Sequence, residues 1–380
     1  MKKGLKIRLY PTEEQEILMK KSVGCMRFVY NWALEQQINH YEQEGKKLSI
    51  TALGKMLTKL KRTEEYSWLY EVSNATLKES IRDLDKAYKS FFKGNAKKPR
   101  FKSKRKSRTA FYSRYDKVYF IEDKVNLEKI GKVKCRVDYD IDLTTITKFS
   151  NPRIIHNGRC WILTVGIETK PKETELNDFS LGIDLGIKEL AITNLDGLGA
   201  KNINKTRKVK QLAKKLKRLQ RQCSRKYEMN RKGGSYQKTK NIAKIEKKIR
   251  KLHRRLKNIR LNHIHQATAK MVRAKPKRVV MEDLNVRGML KNKHLSKAIS
   301  NQMFSTFIEQ MKYKCEKYNI EFVQVDRFYP SSKTCSSCGN IKKDLKLSDR
   351  VYKCTECGLE IDRDKNASIN LANYGLGKSS

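Results

Sequence analysis

Acidic residues are scarce in this chain. Its 380 residues hold 40 Asp and Glu against 86 Lys and Arg, a formal net charge of +46. So one-sided a charge repels itself in a compact fold unless a polyanion neutralises it. Nucleic acid is therefore the expected partner, with an anionic membrane surface the weaker alternative. Long apolar runs are also missing: none approaches the ~20 residues of a membrane span. The N-terminal stretch MKKGLKIRLYPTEEQ lacks the apolar core and small-residue cleavage site of a signal peptide. The expectation is a reducing cytoplasm, where the nine cysteines are thiols or metal ligands rather than disulfides. Apolar material itself is adequate, at 38% of residues. That excludes a disordered polycation, and the length suggests two or three domains of roughly 100–200 residues each.

The chain opens on Leu5-Lys6-Ile7-Arg8-Leu9, an alternation that predicts a strand. Thr12-Glu13-Glu14-Gln15 follows as a capping box. Helical spacing dominates from there to about residue 93, most clearly at Leu77, Ile81, Leu84, Tyr88 and Phe91, whose aromatics read as core. At Lys97 the composition shifts to KKPRFKSKRKSRTAFYSRY, a basic run interleaved with Phe101, Phe111, Tyr112 and Tyr115. A charge run is often only a solvated face, but cations for phosphates beside rings for bases fit a nucleic-acid groove better. Strand-like segments occupy about 118–170, where a small β-barrel or sandwich is expected, completed by the N-terminal strand. Two heptad stripes then predict an antiparallel helical hairpin. One runs through Val209, Leu212, Leu216, Leu219 and Cys223, the other through Ile242, Ile245, Ile249, Leu252, Leu256 and Ile259, with Gly233-Gly234 between them. Thirteen Lys and Arg between 205 and 232 make it a candidate arm for a phosphate backbone. A short strand at 276–283, a helix over 297–318 and a strand at 321–326 follow.

The sharpest chemical signal is Cys335-x2-Cys338-x15-Cys354-x2-Cys357. Two such knuckles suit tetrahedral zinc in a ribbon, and four protein ligands close the site, so the metal is structural. Gly339 and Gly358 each follow a second cysteine, where a tight turn lets backbone amides face the sulfurs. Disulfides are the alternative, disfavoured by compartment. The other five cysteines are scattered and read mostly as core.

A second signal is a set of acids in apolar settings. Asp184 lies within Leu181-Gly182-Ile183-Asp184-Leu185, Glu282 ends Val279-Val280-Met281, and Asp362 and Asp364 open a last helix. A buried carboxylate is unfavourable unless its charge is cancelled. One alone reads equally well as a satisfied salt bridge; three suggest a shared hard cation such as Mg²⁺. The order of elements is that of ribonuclease H: Asp on the first strand, Glu at the end of the fourth, Asp on the last helix. Between the two last acids, Asp364 shares its helical face with Ala367, Ser368 and Leu371, which can lie close on a sheet. Asp362 precedes the helix, with a pairing to Arg363 or a role behind a ligand as its alternatives.

The segments GIDLGIKELAIT, VVMEDLNVRGM, YPSSKTCSSCG, YKCTECG and DRDKNASINLA, with KIRLYPTEEQ, VYNWAL and PRFKSK before them, resemble the TnpB (OrfB) family of transposon-encoded proteins, related to compact type V CRISPR effectors. The resemblance spans nearly the whole chain. It implies a multi-domain α+β protein. The first strand of a wedge (WED) β-barrel occupies 1–10, a helical REC domain 11–98 and the rest of the WED barrel 99–172. A RuvC-like ribonuclease H fold follows at 173–330 with its hairpin at 205–272, then a zinc ribbon at 331–360, the last RuvC helix at 361–374 and a tail at 375–380. It implies a guide RNA from the transposon end, double-stranded target DNA beside a short flanking motif, and two-metal cleavage with Mg²⁺ or Mn²⁺. Its catalytic acids would be Asp184, Glu282 and Asp364, and one structural Zn²⁺ would sit on Cys335, Cys338, Cys354 and Cys357. Arg100, Phe101, Lys102, Lys104, Arg105, Lys106 and Arg108 are the candidate nucleic-acid contacts. A monomer in the complex, at a prokaryotic nucleoid, completes the expectation. The alternatives are an RNA-guided repressor that binds without cutting, a miniature type V CRISPR effector, and a basic zinc-ribbon RNA-binding protein without activity; the last has no need of acids in apolar strands.

Overall fold

Alternation of Leu5, Ile7 and Leu9 with basic residues buries one face of β1 (Lys2–Tyr10). In the computed structural model, which describes residues 2–375 apart from 106, 138–142, 144, 145, 147, 169–172, 347 and 348, this strand sits in the middle of a sheet. The chain divides into two compact units, residues 2–169 and 170–380.

In the first unit, both halves of the capping box start α1 (Glu13–Glu44). After it come α2 (Ile50–Arg62), a 3₁₀ segment (Glu64–Glu71) and α3 (Asn74–Phe92). The strands are β2 (Ala110–Tyr112), β3 (Tyr119–Ile121), β4 (Lys124–Leu127), β5 (Gly131–Arg136), β6 (Ser150–His156) and β7 (Trp161–Glu168). They form one sheet in the order β2-β6-β7-β1-β5-β4-β3. The expected barrel is thus an open sheet among the described residues, its edges being strands of three residues each. The separate helical and β domains expected from sequence share one unit because α1 serves both. Met19, Val23 and Met26 pack with the sheet, while Val29, Tyr30, Ala33 and Leu34 pack with Leu53, Leu57, Leu77 and Ile81.

The second unit opens with β8 (Asn177–Leu185) and β9 (Ala191–Thr193). α4 (Arg207–Met229) and α5 (Lys240–Arg273) form the expected hairpin, closed by β10 (Arg231–Lys232) and β11 (Ser235–Tyr236) around Gly233-Gly234. Then come β12 (Pro276–Glu282), α6 (Val286–Met289), α7 (Ser296–Gln302), α8 (Phe304–Lys317) and β13 (Glu321–Val325). Last are β14 (Val351–Lys353), β15 (Glu360–Asp362) and α9 (Arg363–Ala372). The sheet order is β13-β12-β8-β9, with β12 parallel to both neighbours and β9 antiparallel to β8. Beyond β9 an isolated antiparallel bridge joins Ala191 to Ala200.

Period-2 alternation divides this sheet's faces. Leu181, Ile183, Val279 and Met281 pack with Ile264, Met271, Phe307 and Met311 of α5 and α8. Val280 packs with Leu371 of α9 on the opposite face. The single helix expected over 297–318 is broken. Met303 adopts the left-handed conformation, φ 57° and ψ 43°, ending α7 and starting α8. The break has a visible use: buried Gln302 donates to the carbonyls of Gly186 at 3.0 Å and Ile187 at 3.3 Å, just past β8. Asn204 donates in turn to Gln302 and accepts from Arg260 of α5 at 2.7 Å. The loop after β8 is therefore tied to the long basic helix.

Candidate functional site

The acids come together by register. Met281 of β12 lies beside Ile183 of β8, so the next step of the same parallel register sets Glu282 beside Asp184. Gly182 and Asp184 share the face that α9 covers. The helix can approach because Gly182 has no side chain: a Cβ there would lie 2.0 Å from the Ser368 carbonyl oxygen. Asp364 is one turn before Ser368, a rise of about 6 Å, which matches the two-residue step of about 6.6 Å from Gly182 to Asp184. Lys365 pins that end of α9 by donating to the carbonyls of Thr193 at 3.2 Å and Asn194 at 3.0 Å. Arg278 holds the other end through the Ala372 carbonyl at 3.1 Å.

The electrostatics record the convergence. Burial, reinforced by the negative charges of Glu282 and Asp364, pushes the Asp184 carboxyl up to about 7, with Arg363 acting in the opposite sense. Glu282 accepts a hydrogen bond from the Ser331 hydroxyl. Arg363 pairs with Asp364 at 3.2 Å. Asp362 is the N-cap of α9, accepting from the N–H groups of Asp364 and Lys365 at 2.9 and 3.2 Å.

The four cysteines form the tightest ligand group. Their sulfurs lie within 4.8 Å of one another, a closeness that no other trio of His, Cys, Asp or Glu side chains reaches among the described residues. Gly339 and Gly358 have φ of 80° and 70°, so each knuckle turns through the left-handed region that glycine favours. Backbone N–H groups of Cys357 and Glu356 hold the Cys354 thiol down and that of Leu359 lowers Cys357, whereas burial and the neighbouring sulfurs push Cys338 up. Thiolates favoured by amides are suited to a metal. Cys335, Cys354 and buried Tyr352 pack together behind the knuckles. Of the remaining cysteines, 25, 135, 223 and 315 are buried as expected, and Cys160 is partly exposed.

The basic run behaves less uniformly than its sequence. Arg100, Phe101, Lys104, Arg105 and Arg108 are exposed, Phe101 by 59%. Lys106 lies outside the described residues. Lys102 departs from the expectation of a phosphate contact. Its ammonium sits 3.4 Å from the centroid of the Tyr30 ring, its backbone is bonded both ways to Asn31, and burial lowers its pKa. The four-carbon stem is long enough to reach back across α1, and the ring face attracts the cation. Phe111, grouped with the exposed aromatics from sequence, is instead a core residue against Trp161. Sequence reasoning passed over Ser331, Asn366, Asn370 and Gln302. The one available signal was the spacing of Asn366 and Asn370, two polar residues one helical turn apart among small apolar ones.

Residues 1–46 match a family model described as "Helix-turn-helix domain", residues 163–293 one described as "Probable transposase", and residues 304–371 one described as "Cas12f1-like, TNB domain". The first of these segments is β1 followed by α1, a strand and one long helix. The chain is 33% identical over 384 residues to a protein of Streptomyces pristinaespiralis named "Putative RNA-guided DNA endonuclease", covering 100% of this chain and 90% of that one. It is 28% identical over 388 residues to the Escherichia coli protein of the same description designated InsQ, covering 98% and 92%. The CRISPR-associated endodeoxyribonuclease Cas12f1 of Sulfoacidibacillus thermotolerans is 27% identical over 246 residues, covering 60% and 54%.

Proposed function

This chain belongs to the family of TnpB-like RNA-guided DNA endonucleases, and we propose that it cuts double-stranded DNA, under the direction of a bound guide RNA, at the site built by Asp184, Glu282 and Asp364. The observation that carries the assignment is the convergence of these acids on one face of the β8–β12 sheet, with Asp184 held up to about 7. Such a group is poorly satisfied by the protein alone, and its hard oxygen donors fit Mg²⁺ or Mn²⁺. Bound there, a pair of such ions would activate water and stabilise the leaving oxygen of a phosphodiester. The protein's part is to hold the three carboxylates in register, through the parallel β8–β12 pairing and the Gly182 contact, and to keep Arg363 on Asp364. The cysteine quartet fits one structural Zn²⁺, since four thiol ligands leave no open position.

Polyanion binding falls to the basic surfaces. α4 and α5 expose Lys and Arg along their outer faces, and Arg100, Lys104, Arg105 and Arg108 do so in the other unit. Base pairing with a guide would read sequence while these residues hold backbone. We place RuvC-like, REC and WED roles on the β8–α9 nuclease layers, on α1–α3 and on the seven-stranded sheet. Among the described residues no helix is long and apolar enough to cross a membrane.

The test is to purify the chain with its copurifying RNA, sequence that RNA, and challenge the complex with matching double-stranded DNA. Asp184→Ala and Glu282→Ala should abolish cutting while guided binding persists. Undiminished cutting by both variants overturns the site; absence of any bound RNA overturns the guided mode.

A further inference from the structure

Ser331 is 2% exposed, and its hydroxyl donates to Glu282 Oε1. Its own carbonyl accepts from Asn370 Nδ2 at 2.7 Å, and the same amide donates to the Thr334 carbonyl at 2.6 Å. Asn366, one turn earlier on α9, donates to Thr334 at 2.7 Å and accepts from the Ser336 N–H at 3.0 Å. Two buried asparagines therefore grip the chain on both sides of Cys335. The helix that carries them also carries Asp364. Thr334 closes the segment on itself by donating to the Pro330 carbonyl at 2.8 Å. Five residues thus join a carboxylate of the nuclease site to a sulfur of the cysteine centre, with every step a hydrogen bond or a peptide unit.

We propose that Ser331 is a positioning residue for Glu282, and that the segment from Ser331 to Cys335 makes the metal affinity of the acid site depend on the state of the four-cysteine centre. The inference rests on the nuclease reading of Asp184, Glu282 and Asp364. The physical ground is that a carboxylate with one oxygen held by a buried hydroxyl keeps a single orientation for the other. Without that donor the group rotates and one oxygen is left unsatisfied. Partners standing behind metal ligands in this way typically contribute ~10–100-fold to metal affinity. The hydroxyl stays in place only while Asn370 holds the Ser331 carbonyl, and the asparagine grip closes only when Thr334, Cys335 and Ser336 follow the path that the cysteine cluster imposes. Loss of metal from the cysteines releases that path and, through it, Glu282.

The experiment uses the full chain with its RNA and compares Ser331→Ala, Ser331→Thr and Glu282→Ala. Mn²⁺ binding is followed by electron paramagnetic resonance, cysteine-bound zinc by elemental analysis, and guided DNA binding by gel shift. Ser331→Ala should weaken Mn²⁺ binding about ten-fold, with zinc content and DNA binding unchanged, and Ser331→Thr, which keeps the hydroxyl, should restore most of the affinity. Stripping zinc from the wild-type complex with a chelator, before Mn²⁺ is added, should produce a loss of the same size, and stripping Ser331→Ala should add little to it. Equal Mn²⁺ affinity in Ser331→Ala and wild type, alongside a large loss in Glu282→Ala, overturns the positioning role and leaves the nuclease reading intact. Fully additive losses from stripping and substitution overturn the coupling. Unchanged Mn²⁺ binding in Glu282→Ala would instead remove the underlying reading.

Discussion

Gly182 and Ser368 touch backbone to backbone: a Cβ on the glycine would stand 2.0 Å from the Ser368 carbonyl oxygen and 2.5 Å from the Ala372 nitrogen. Neither atom can swing away, because both belong to the main chain of α9. This close approach sets the height of α9 above β8 and hence the distance from Asp364 to Asp184.

Gly182→Ala is therefore expected to lift α9. Overpacking of this kind costs about 1–3 kcal/mol, and a displacement near 1 Å at a reacting centre can reduce a rate ~100-fold. Cleavage should drop far more than guided DNA binding, and the melting temperature should fall. Wild-type cleavage by Gly182→Ala would show that α9 placement does not govern the site.

Asp362 and Asp364 separate cleanly because one is a cap and the other is not. Asp362→Ala removes the acceptor for two N–H groups and should cost about 1 kcal/mol of stability, reducing cleavage partially; Asp362→Asn should recover it. Asp364→Ala should leave the melting temperature nearly unchanged and abolish cleavage. The reverse pattern in a nuclease assay would exchange the two roles.

The pH dependence follows from Asp184. Its ordinary value is 3.8 and in the folded protein it stands at about 7. Between those values the folded metal-free chain holds a proton that the unfolded chain has released. Its contribution to stability therefore falls as pH rises through that window and is fully unfavourable above about 7. Asp184→Asn should raise the melting temperature of metal-free protein at pH 8 while eliminating cleavage, and the difference should shrink toward pH 4. Divalent-metal affinity of the wild type should increase from pH 6 to 8 as the competing proton leaves. A pH-independent melting difference would contradict this account.

Basic residues of the 97–115 run should divide by their surroundings. Replacing Lys104, Arg105 and Arg108 together with Ala should flatten the dependence of log K on log salt by roughly 0.7–0.9 for each phosphate that is no longer neutralised. Lys102→Ala should leave the slope unchanged and lower thermal stability, since its ammonium rests on Tyr30. A slope change from Lys102→Ala alone would return it to the phosphate-binding set.

Much of this architecture can be read along the chain. The alternation of β1, the capping box of α1, the paired heptads of α4 and α5, the cysteine knuckles and the acids set in or beside apolar elements are all periodic or spacing signals, and each depends on neighbours within a few residues. The small face of Ala367, Ser368 and Leu371 was also legible, and all three are buried beside the sheet. The break at Met303 was not, because nothing local forbids a helix through it. The left-handed turn is held by Gln302 reaching carbonyls more than a hundred residues away. Lys102 looked like its neighbours because a basic run carries no mark of which member meets a ring.

Residue types, strand and helix periods, the cysteine quartet and the three acids are thus properties of the sequence itself, for they rest on local spacing and on which chemistries each side chain possesses. Which acid lies beside which, and what holds them, was decided only in three dimensions. The parallel register of β8 and β12, the bare approach at Gly182, and the asparagine grip that carries Ser331 to Glu282 join segments up to about 190 residues apart. Such contacts exist once the chain has closed those loops, and their energies come from burial and hydrogen bonding between partners that no local pattern connects.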